Sequence, residues 1–173
     1  LGWDERLWPW ERYAGVVLAA AGAGVPVLGG NLPRAAMRGA MQDTALDAVL
    51  APGAHAAQLH AVREGHCGLL PEAQLPGMVR IQIARDQSMA RTVAAAPRAP
   101  ALLVLLVAGG GHVLRSRGVP VHLPKNLRQK VVLAHAGVGD AAIDTEADMR
   151  AATAALPAHD ACAPLRAQAA ARE

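Results

Sequence analysis

Apolar residues recur at intervals of three and four near the beginning of the chain, as they do along one face of a helix. The residues that set this spacing are Trp10, Tyr13, Val17 and Ala21. The spacing predicts a first helix over Leu7–Ala21, with Pro9 in its first turn. Three further helical stretches are predicted from their apolar spacing and their flanking Pro and Gly residues: Pro33–Leu50, His55–His66 and Glu72–Ala96.

Three apolar runs without helical spacing predict strands. The clearest is Ala101–Val107, which is apolar at every position and has the pattern of a strand buried on both faces of a parallel sheet. Val25–Leu28 and Lys130–His135 predict two more strands. Strands that alternate with helices and exit into glycines predict an α/β fold, mainly a parallel sheet with flanking helices. We expect one domain over residues 1–173, with a weakly patterned tail at 139–173.

The composition limits the class of protein. Of the 173 residues, 53% are hydrophobic and 18% charged, so the chain is too apolar to be disordered. Aromatic residues make up only 2% and all lie within the first thirteen positions. The rest of the core must consist of aliphatic side chains, which bury less area than rings. We therefore expect modest stability and help from a partner surface, as in a homodimer.

The same counts disfavour several functions. The longest apolar run, Ala99–Ala108, is about half as long as a membrane-spanning helix. The net charge of +3 comes mostly from arginines, but no arginine cluster is interleaved with aromatic rings, so nucleic acid is not an expected partner. Cys67 and Cys162 are too few for a disulfide-rich scaffold or a four-thiolate zinc site, and a single disulfide between them is left open.

The first candidate site is the segment Gly109–His112, which follows the apolar run at Ala101–Val107. In open α/β sheets the carboxyl end of a strand opens into a ligand crevice. The glycines would let the backbone approach a ligand closely, and His112 would serve as a ligand, an acid or a base. The alternative is a tight turn whose histidine only hydrogen-bonds a neighbouring loop.

The second candidate lies on the long helix. A polar stripe at helical spacing consists of Gln82, Arg85, Asp86 and Met89. Such a stripe either faces solvent or lines a cavity, and charged stripes usually face solvent. The solvated face is therefore the expected arrangement.

Two further segments combine residues that can carry chemistry. In Glu64–Pro71, His66 and Cys67 would ligate a metal or activate a thiolate, although a helix end with a buried cysteine is the favoured interpretation. In Trp8–Tyr13, the rings anchor the first helix or, alternatively, Tyr13 supplies a phenolate, which is a known haem ligand. The remaining histidines are scattered and not expected to act: His55, His60, His122, His135 and His159.

Several short motifs, taken in order, resemble one family. They are Trp8–Tyr13, Gly30–Arg34, His66–Pro71, Met78–Ala90, Gly109–Val113 and Gly118–Pro120, with a weaker echo at Asp160–Arg166. From Leu1 to about Gly137 the chain looks like the ChaN-like haem-binding uptake family. Its members are bacterial proteins of the Tiki/TraB/erythromycin-esterase superfamily.

The resemblance implies an α/β fold in an envelope-associated protein, often a lipoprotein, that holds haem between the subunits of a dimer with a tyrosine on the iron. The superfamily shares two Gly-x-x-His motifs, and Gly109 with His112 matches the second. No segment matches the first, so we expect the domain to be incomplete at its N-terminus, with any membrane anchor upstream. Tyr13 and His112 are the candidate iron ligands. The other candidate haem-binding residues are Gln82, Arg85, Asp86 and His66, with Arg85 as the partner of a propionate.

The sequence thus favours a haem-binding protein of bacterial iron acquisition in the cell envelope, rather than an enzyme. Haem would lie in an apolar pocket or a dimer interface. The alternative is a metal-dependent hydrolase in which His112 holds a divalent metal that activates water. The general base would then be Glu64, Glu72 or Asp86. A third interpretation is that the chain has no complete site.

Overall fold

The structure is a computed structural model that describes residues 3–5, 8–97, 103–137, 143, 145–155, 157 and 160–171. The α-helices within these residues are α1 (Trp10–Gly22), α2 (Arg34–Gln42), α3 (Pro52–Gly65), α4 (Leu75–Ala95), α5 (Val119–His122) and α6 (Ala163–Ala170). The strands are β1 (Val132–Ala136) and β2 (Met149–Thr153). Three short 3₁₀ helices cover Thr44–Ala48, Glu72–Gln74 and Gly110–Val113.

The predicted helices are confirmed, with shifted ends. The first helix begins at Trp10, whose backbone N–H donates a hydrogen bond to the Glu5 carboxylate at 2.9 Å. Leu7, the predicted first residue of this helix, lies outside the described residues. The predicted helix Pro33–Leu50 is divided into α2 and a 3₁₀ turn. The division falls at Asp43, where the backbone is extended and the carboxylate accepts the N–H of Ala45, because aspartate offers the chain a local alternative to helix.

Helix α4 is the centre of the fold. Its first half packs against α2, α3 and the turn Thr44–Ala48. The buried residues of this first core are Leu46, Leu50, Val62, Leu75, Val79, Ile83 and Ala84. Gly77 lets α2 approach closely, because a Cβ there would lie 2.8 Å from the Met41 side chain. As the sequence predicts, this core is aliphatic throughout.

The second half of α4 packs against α5 and the segment 104–108. Met89, Ala90 and Val119 are the buried residues of this second core, and Leu106 and Ala108 pack against them. The two cores lie at opposite ends of one helix, so α4 holds the 3₁₀ turn Gly110–Val113 in a fixed position relative to α2 and α3.

The described sheet has two strands. Strands β1 and β2 pair in parallel, from Val132 opposite Met149 to Ala136 opposite Thr153. The Asp148 carboxylate before β2 accepts the Val131 N–H at 2.7 Å and pairs with Arg115. Helices with a small parallel sheet are consistent with an α/β fold, but the helices dominate the described residues, and the expected large parallel sheet is not among them. Strand β1 confirms the prediction at Lys130–His135.

Two predicted strands are wrong where the structure describes them. At Val25–Leu28 the chain is extended but makes no strand pairing, because its first N–H bonds back to Ala20 at the end of α1. The stretch Ala101–Val107 is described from residue 103 onward, and there it is also extended and unpaired. Leu103, Leu105 and Val107 are 88%, 76% and 63% exposed, so this segment is not buried on both faces.

The C-terminal part is joined to the body by a disulfide between Cys67 and Cys162. Cys67 follows α3 in a left-handed turn with φ of 59°, and Cys162 directly precedes α6. Helix α6 makes no extensive contact with any other described helix or strand. The disulfide that the sequence leaves open is therefore the main attachment of this helix among the residues described.

Candidate functional site

The site is built on a hydrogen bond between His112 and Asp86. Helix α4 carries Asp86, and the turn Gly110–Val113 carries His112. The distance from His112 Nδ1 to Asp86 Oδ1 is 2.6 Å. A carboxylate acceptor places the ring proton on Nδ1, which leaves the Nε2 lone pair available for a metal or a proton. Asp86 is 2% exposed and His112 is partly exposed, so the carboxylate lies behind the imidazole.

Burial and charge act in opposite directions on Asp86. Burial raises the pKa of its carboxyl group, because an ion loses the stabilisation of water. The hydrogen bond from His112 and the charges of His112, His122 and Arg85 lower that pKa in part. The buried carboxylate thus depends on its histidine and arginine neighbours to stay ionised.

A second histidine stands near the same carboxylate. His122 closes α5, and burial lowers its pKa while Asp86 acts in the opposite direction. Its Nε2 atom is buried and has no hydrogen-bond partner among the described residues. From the sequence alone His122 is one of the scattered histidines that are not expected to act. Its position ten residues after His112, behind the turn-forming Gly118 and Pro120, was the available signal.

Two glycines shape the loop that carries His112. A Cβ at Gly109 would touch the His112 ring at 3.8 Å, an ordinary contact. A Cβ at Gly118 would overlap the carbonyl group of His112. Only glycine therefore lets the start of α5 approach the back of the turn Gly110–Val113 this closely. This close approach brings His112 and α5 together beside α4.

Gln82 and Arg85, the other polar residues of the stripe on α4, are partly buried. The Arg85 Nε donates to Asn31 Oδ1 at 2.9 Å, and its Nη1 donates to Gln82 at 3.3 Å. Burial lowers the pKa of Arg85, with Asp86 opposing. The expected solvated face is wrong, because Asp86 and Met89 are buried where α5 packs over this face of α4.

His66 lies at a separate place, at the end of α3. Its Nδ1 is 2.8 Å from the carbonyl oxygen of Val62. With Gln82 it lines a depression of about 190 Å³ between α3 and α4. Cys67 beside it is held in the disulfide and so offers no thiolate. No hydrogen bond or ion pair joins His66 to His112 in the described chain.

Tyr13 belongs to an aromatic cluster at the beginning of the chain. Its ring centroid lies 5.5 Å from that of Trp3 and 5.8 Å from that of Trp8. Helix α1, which carries Tyr13, has no buried residue and no extensive contact with another described element. The cluster anchors α1 to the preceding residues, and it does not bring Tyr13 to the Asp86–His112 pair.

The other carboxylates named as general bases are placed differently. Glu72 forms a two-pronged salt bridge with Arg63, at 2.7 and 2.9 Å, and Glu64 is exposed. Among the described residues no group of three or more His, Cys, Asp or Glu side chains is arranged to hold a metal ion. A helix long and apolar enough to cross a membrane is likewise not found in that part of the chain.

The described residues form a helix-centred domain, consistent with an α/β fold, in which a buried aspartate lies behind a glycine-flanked histidine. The family model described as haem-binding uptake, Tiki superfamily, ChaN, matches residues 1–123. The chain belongs to this family. The matched range includes α1 to α5 and both members of the Asp86–His112 pair. No curated protein and no solved structure matches the chain.

Proposed function

We propose that the protein binds haem in bacterial haem uptake and that His112 is the residue that ligates the iron. The observation that carries this proposal is the 2.6 Å hydrogen bond from His112 to the buried Asp86. A histidine that ligates a metal through one ring nitrogen commonly donates the N–H of its other ring nitrogen to a carboxylate. That bond fixes the tautomer and ring orientation and makes Nε2 a stronger ligand. Haem is the cargo here, and no further chemistry is required of the protein.

The surroundings of the pair fit the needs of haem. A haem site requires apolar walls and few polar groups. Leu106 and Ala108, which pack on Met89 and remain partly exposed, provide aliphatic surface shortly before the turn that carries His112. His122, whose Nε2 has no hydrogen-bond partner among the described residues, offers a further polar atom near the same carboxylate. Haem itself would then cover surface that is now solvent-facing.

Arg85 has a positioning role in this proposal. Its bonds to Asn31 and Gln82 fix its guanidinium beside Asp86, where its charge favours the ionised carboxylate. Gln82 and Arg85 thereby support the acceptor of the His112 hydrogen bond. A propionate contact through the remaining guanidinium donors is compatible with this role.

A homodimer that shares haem is the second part of the proposal. Two described surfaces expose large apolar side chains without a covering element: Leu103, Leu105 and Val107 on the extended segment, and Val16 and Leu18 on α1. Exposed apolar surface of this kind marks association sites. We place the protein in the cell envelope on the strength of the family's role in haem uptake.

The test is a haem titration of the full chain with its disulfide intact, followed by the Soret absorption band. We expect one saturable site, with affinity at least tenfold weaker in His112→Ala because the axial nitrogen is lost. Asp86→Asn should weaken binding about 10- to 100-fold, as second-sphere changes do. Tyr13→Phe is the matched control and should leave the spectrum and the affinity unchanged.

A reversed result would reject His112 as the ligand. If Tyr13→Phe abolishes the band and His112→Ala retains it, the iron is on Tyr13 of the aromatic cluster. If no variant and no wild-type sample shows a specific band, the hydrolase alternative gains support. The Asp86–His112 pair would then orient a general base, and metal-dependent hydrolysis should disappear in His112→Ala.

A further inference from the structure

Arg117 forms no ion pair within the described residues, and one of its guanidinium nitrogens, Nε, is buried without a hydrogen-bond partner there. Its neighbour Arg115 pairs with Asp148. A buried cationic donor that lacks an acceptor costs free energy. An anionic ligand that binds the terminal nitrogens of the guanidinium would offset part of this cost through its charge.

Arg117 lines a cavity of about 290 Å³ between α3 and the turn that precedes α5. We call it the Arg117 cavity. Its lining residues are Ala57, His60, Ala61, Leu114, Arg117, Ile143 and Glu146. Most of this lining is aliphatic, and His60 stands beside Arg117 as a second nitrogen donor or acceptor. The cavity thus combines one cationic end with apolar walls.

The carboxylate in the lining is already engaged. Glu146 accepts the N–H of Ser116 at 2.7 Å and the hydroxyl of Ser116 at 2.5 Å. These bonds hold the turn around Ser116 and engage both carboxylate oxygens of Glu146. Among the described residues no salt bridge joins Glu146 to Arg117. Arg117 is therefore left as the group that can receive an anion in this cavity.

We propose that the Arg117 cavity binds a carboxylate with a short aliphatic chain. The guanidinium would hold the carboxylate through paired N–H donors, and the chain would lie against Ala57, Ala61 and Leu114. The volume is at the lower limit of small-molecule sites, so a haem macrocycle does not fit inside. Two sources share this chemistry: a free short-chain acid, or a propionate arm of haem bound outside the cavity. The second source rests on the proposed function.

The first experiment titrates the full chain with sodium propionate and follows binding by calorimetry and by changes in amide NMR shifts. We expect a saturable site whose shifts centre on Arg117 and Leu114. Arg117→Gln should weaken binding at least tenfold, and Arg117→Lys should weaken it less, since it keeps the charge but loses the fork. Arg128→Gln removes an exposed arginine and is the matched control, with unchanged affinity.

The second experiment distinguishes the two sources. Haem and haem dimethyl ester, whose propionates are blocked, are titrated into wild type and Arg117→Gln. If Arg117→Gln binds haem more weakly than the wild type does, but binds haem dimethyl ester equally well, the carboxylate in the Arg117 cavity is a haem propionate. If Arg117→Gln binds sodium propionate more weakly but binds haem with unchanged affinity, the ligand of the Arg117 cavity is a free short-chain acid. If neither propionate nor haem affinity changes in Arg117→Gln, the proposal is wrong.

The two proposals fail separately. Propionate titration needs no haem, so its result stands even where His112 proves not to bind iron. Folding of Arg117→Gln is checked by urea unfolding. Because no hydrogen bond or ion pair of the Arg117 side chain is found among the described residues, we expect the free energy of unfolding of Arg117→Gln to equal or slightly exceed that of the wild type.

Discussion

Asp86 and its histidines show how burial changes ordinary side chains. A carboxylate at the surface is held by water, whereas Asp86 at 2% exposure depends on His112, His122 and Arg85 for its charge. The same burial lowers the pKa of His122 and so favours its neutral ring. A histidine whose neutral ring is favoured by burial and a histidine oriented by a hydrogen bond thus lie near the same carboxylate.

The lowered pKa of His122 predicts a pH dependence of stability. Below its ordinary value of 6.5, the unfolded chain binds a proton that the folded chain resists, so the free energy of unfolding should fall as the pH falls. Asp86 opposes the effect but does not reverse it. Between about pH 7 and about pH 5, the free energy of unfolding of His122→Asn should fall by less than that of the wild type. Urea unfolding at several pH values measures this, and equal slopes in both proteins would contradict it.

At the scale of elements, α4 carries the stability of the fold. It is the helix that both aliphatic cores share, and Ile83 is completely buried in the first of them. The second core fixes the position of the loop that carries His112. Damage to the first core should therefore lower the stability of the whole domain, since α2 and α3 pack on the same helix.

Ile83→Ala tests this dependence. Removal of a fully buried isoleucine side chain should lower the free energy of unfolding by about 2–5 kcal/mol. Leu18→Ala on α1 is the matched control, because Leu18 is 60% exposed, and its change should stay within about 0.5 kcal/mol. Urea unfolding measures both. A similar loss in the two variants would show that α1 belongs to the same core.

Helices were predictable from this sequence and strands were less so. Helix α4 has its own signals, with Pro76 in its first turn and Pro97 beyond its end. Strand β1 has a clear apolar run, but β2 is exposed at every position and has no such pattern. The run from Leu103 to Val107 has a strand composition without a strand partner. Pairing is a property of two segments, and composition describes only one.

The site was predictable in its parts and not in its contacts. His112, Asp86 and Arg85 were all candidates from spacing, but the 2.6 Å bond between the first two joins residues 26 positions apart. That contact depends on how the turn Gly110–Val113 folds onto α4. His122 was missed because its importance comes from the burial of its ring, which spacing does not report.

At the scale of the whole molecule, the disulfide holds the C-terminal part on the body. The bond closes a segment of 95 residues, which includes α4 and both strands. A closed loop of this length restricts the unfolded chain and should add up to about 4–5 kcal/mol of stability. We expect unfolding in the presence of a thiol reductant to occur at lower urea. The Cys67→Ser/Cys162→Ser double variant is the control, and it should not respond to reductant.

A response of the double variant would show that the reductant acts elsewhere. Equal unfolding of the wild type with and without reductant would mean that the segment is held by other contacts. In that case limited proteolysis after α5 should also be unaffected by reduction. The expected result is faster cleavage near α6 once the bond is broken, because this helix has no extensive contact of its own.

The disulfide also sets an order of events during synthesis. Cys162 leaves the ribosome 95 residues after Cys67, which at ordinary rates is about 5–20 s later. Throughout that interval the native partner of Cys67 has not yet been synthesised. An oxidant that acts on the growing chain during this interval can therefore couple Cys67 only to a thiol other than that of Cys162. Correct pairing is a late step, and a chain kept reduced until its synthesis is complete avoids that error.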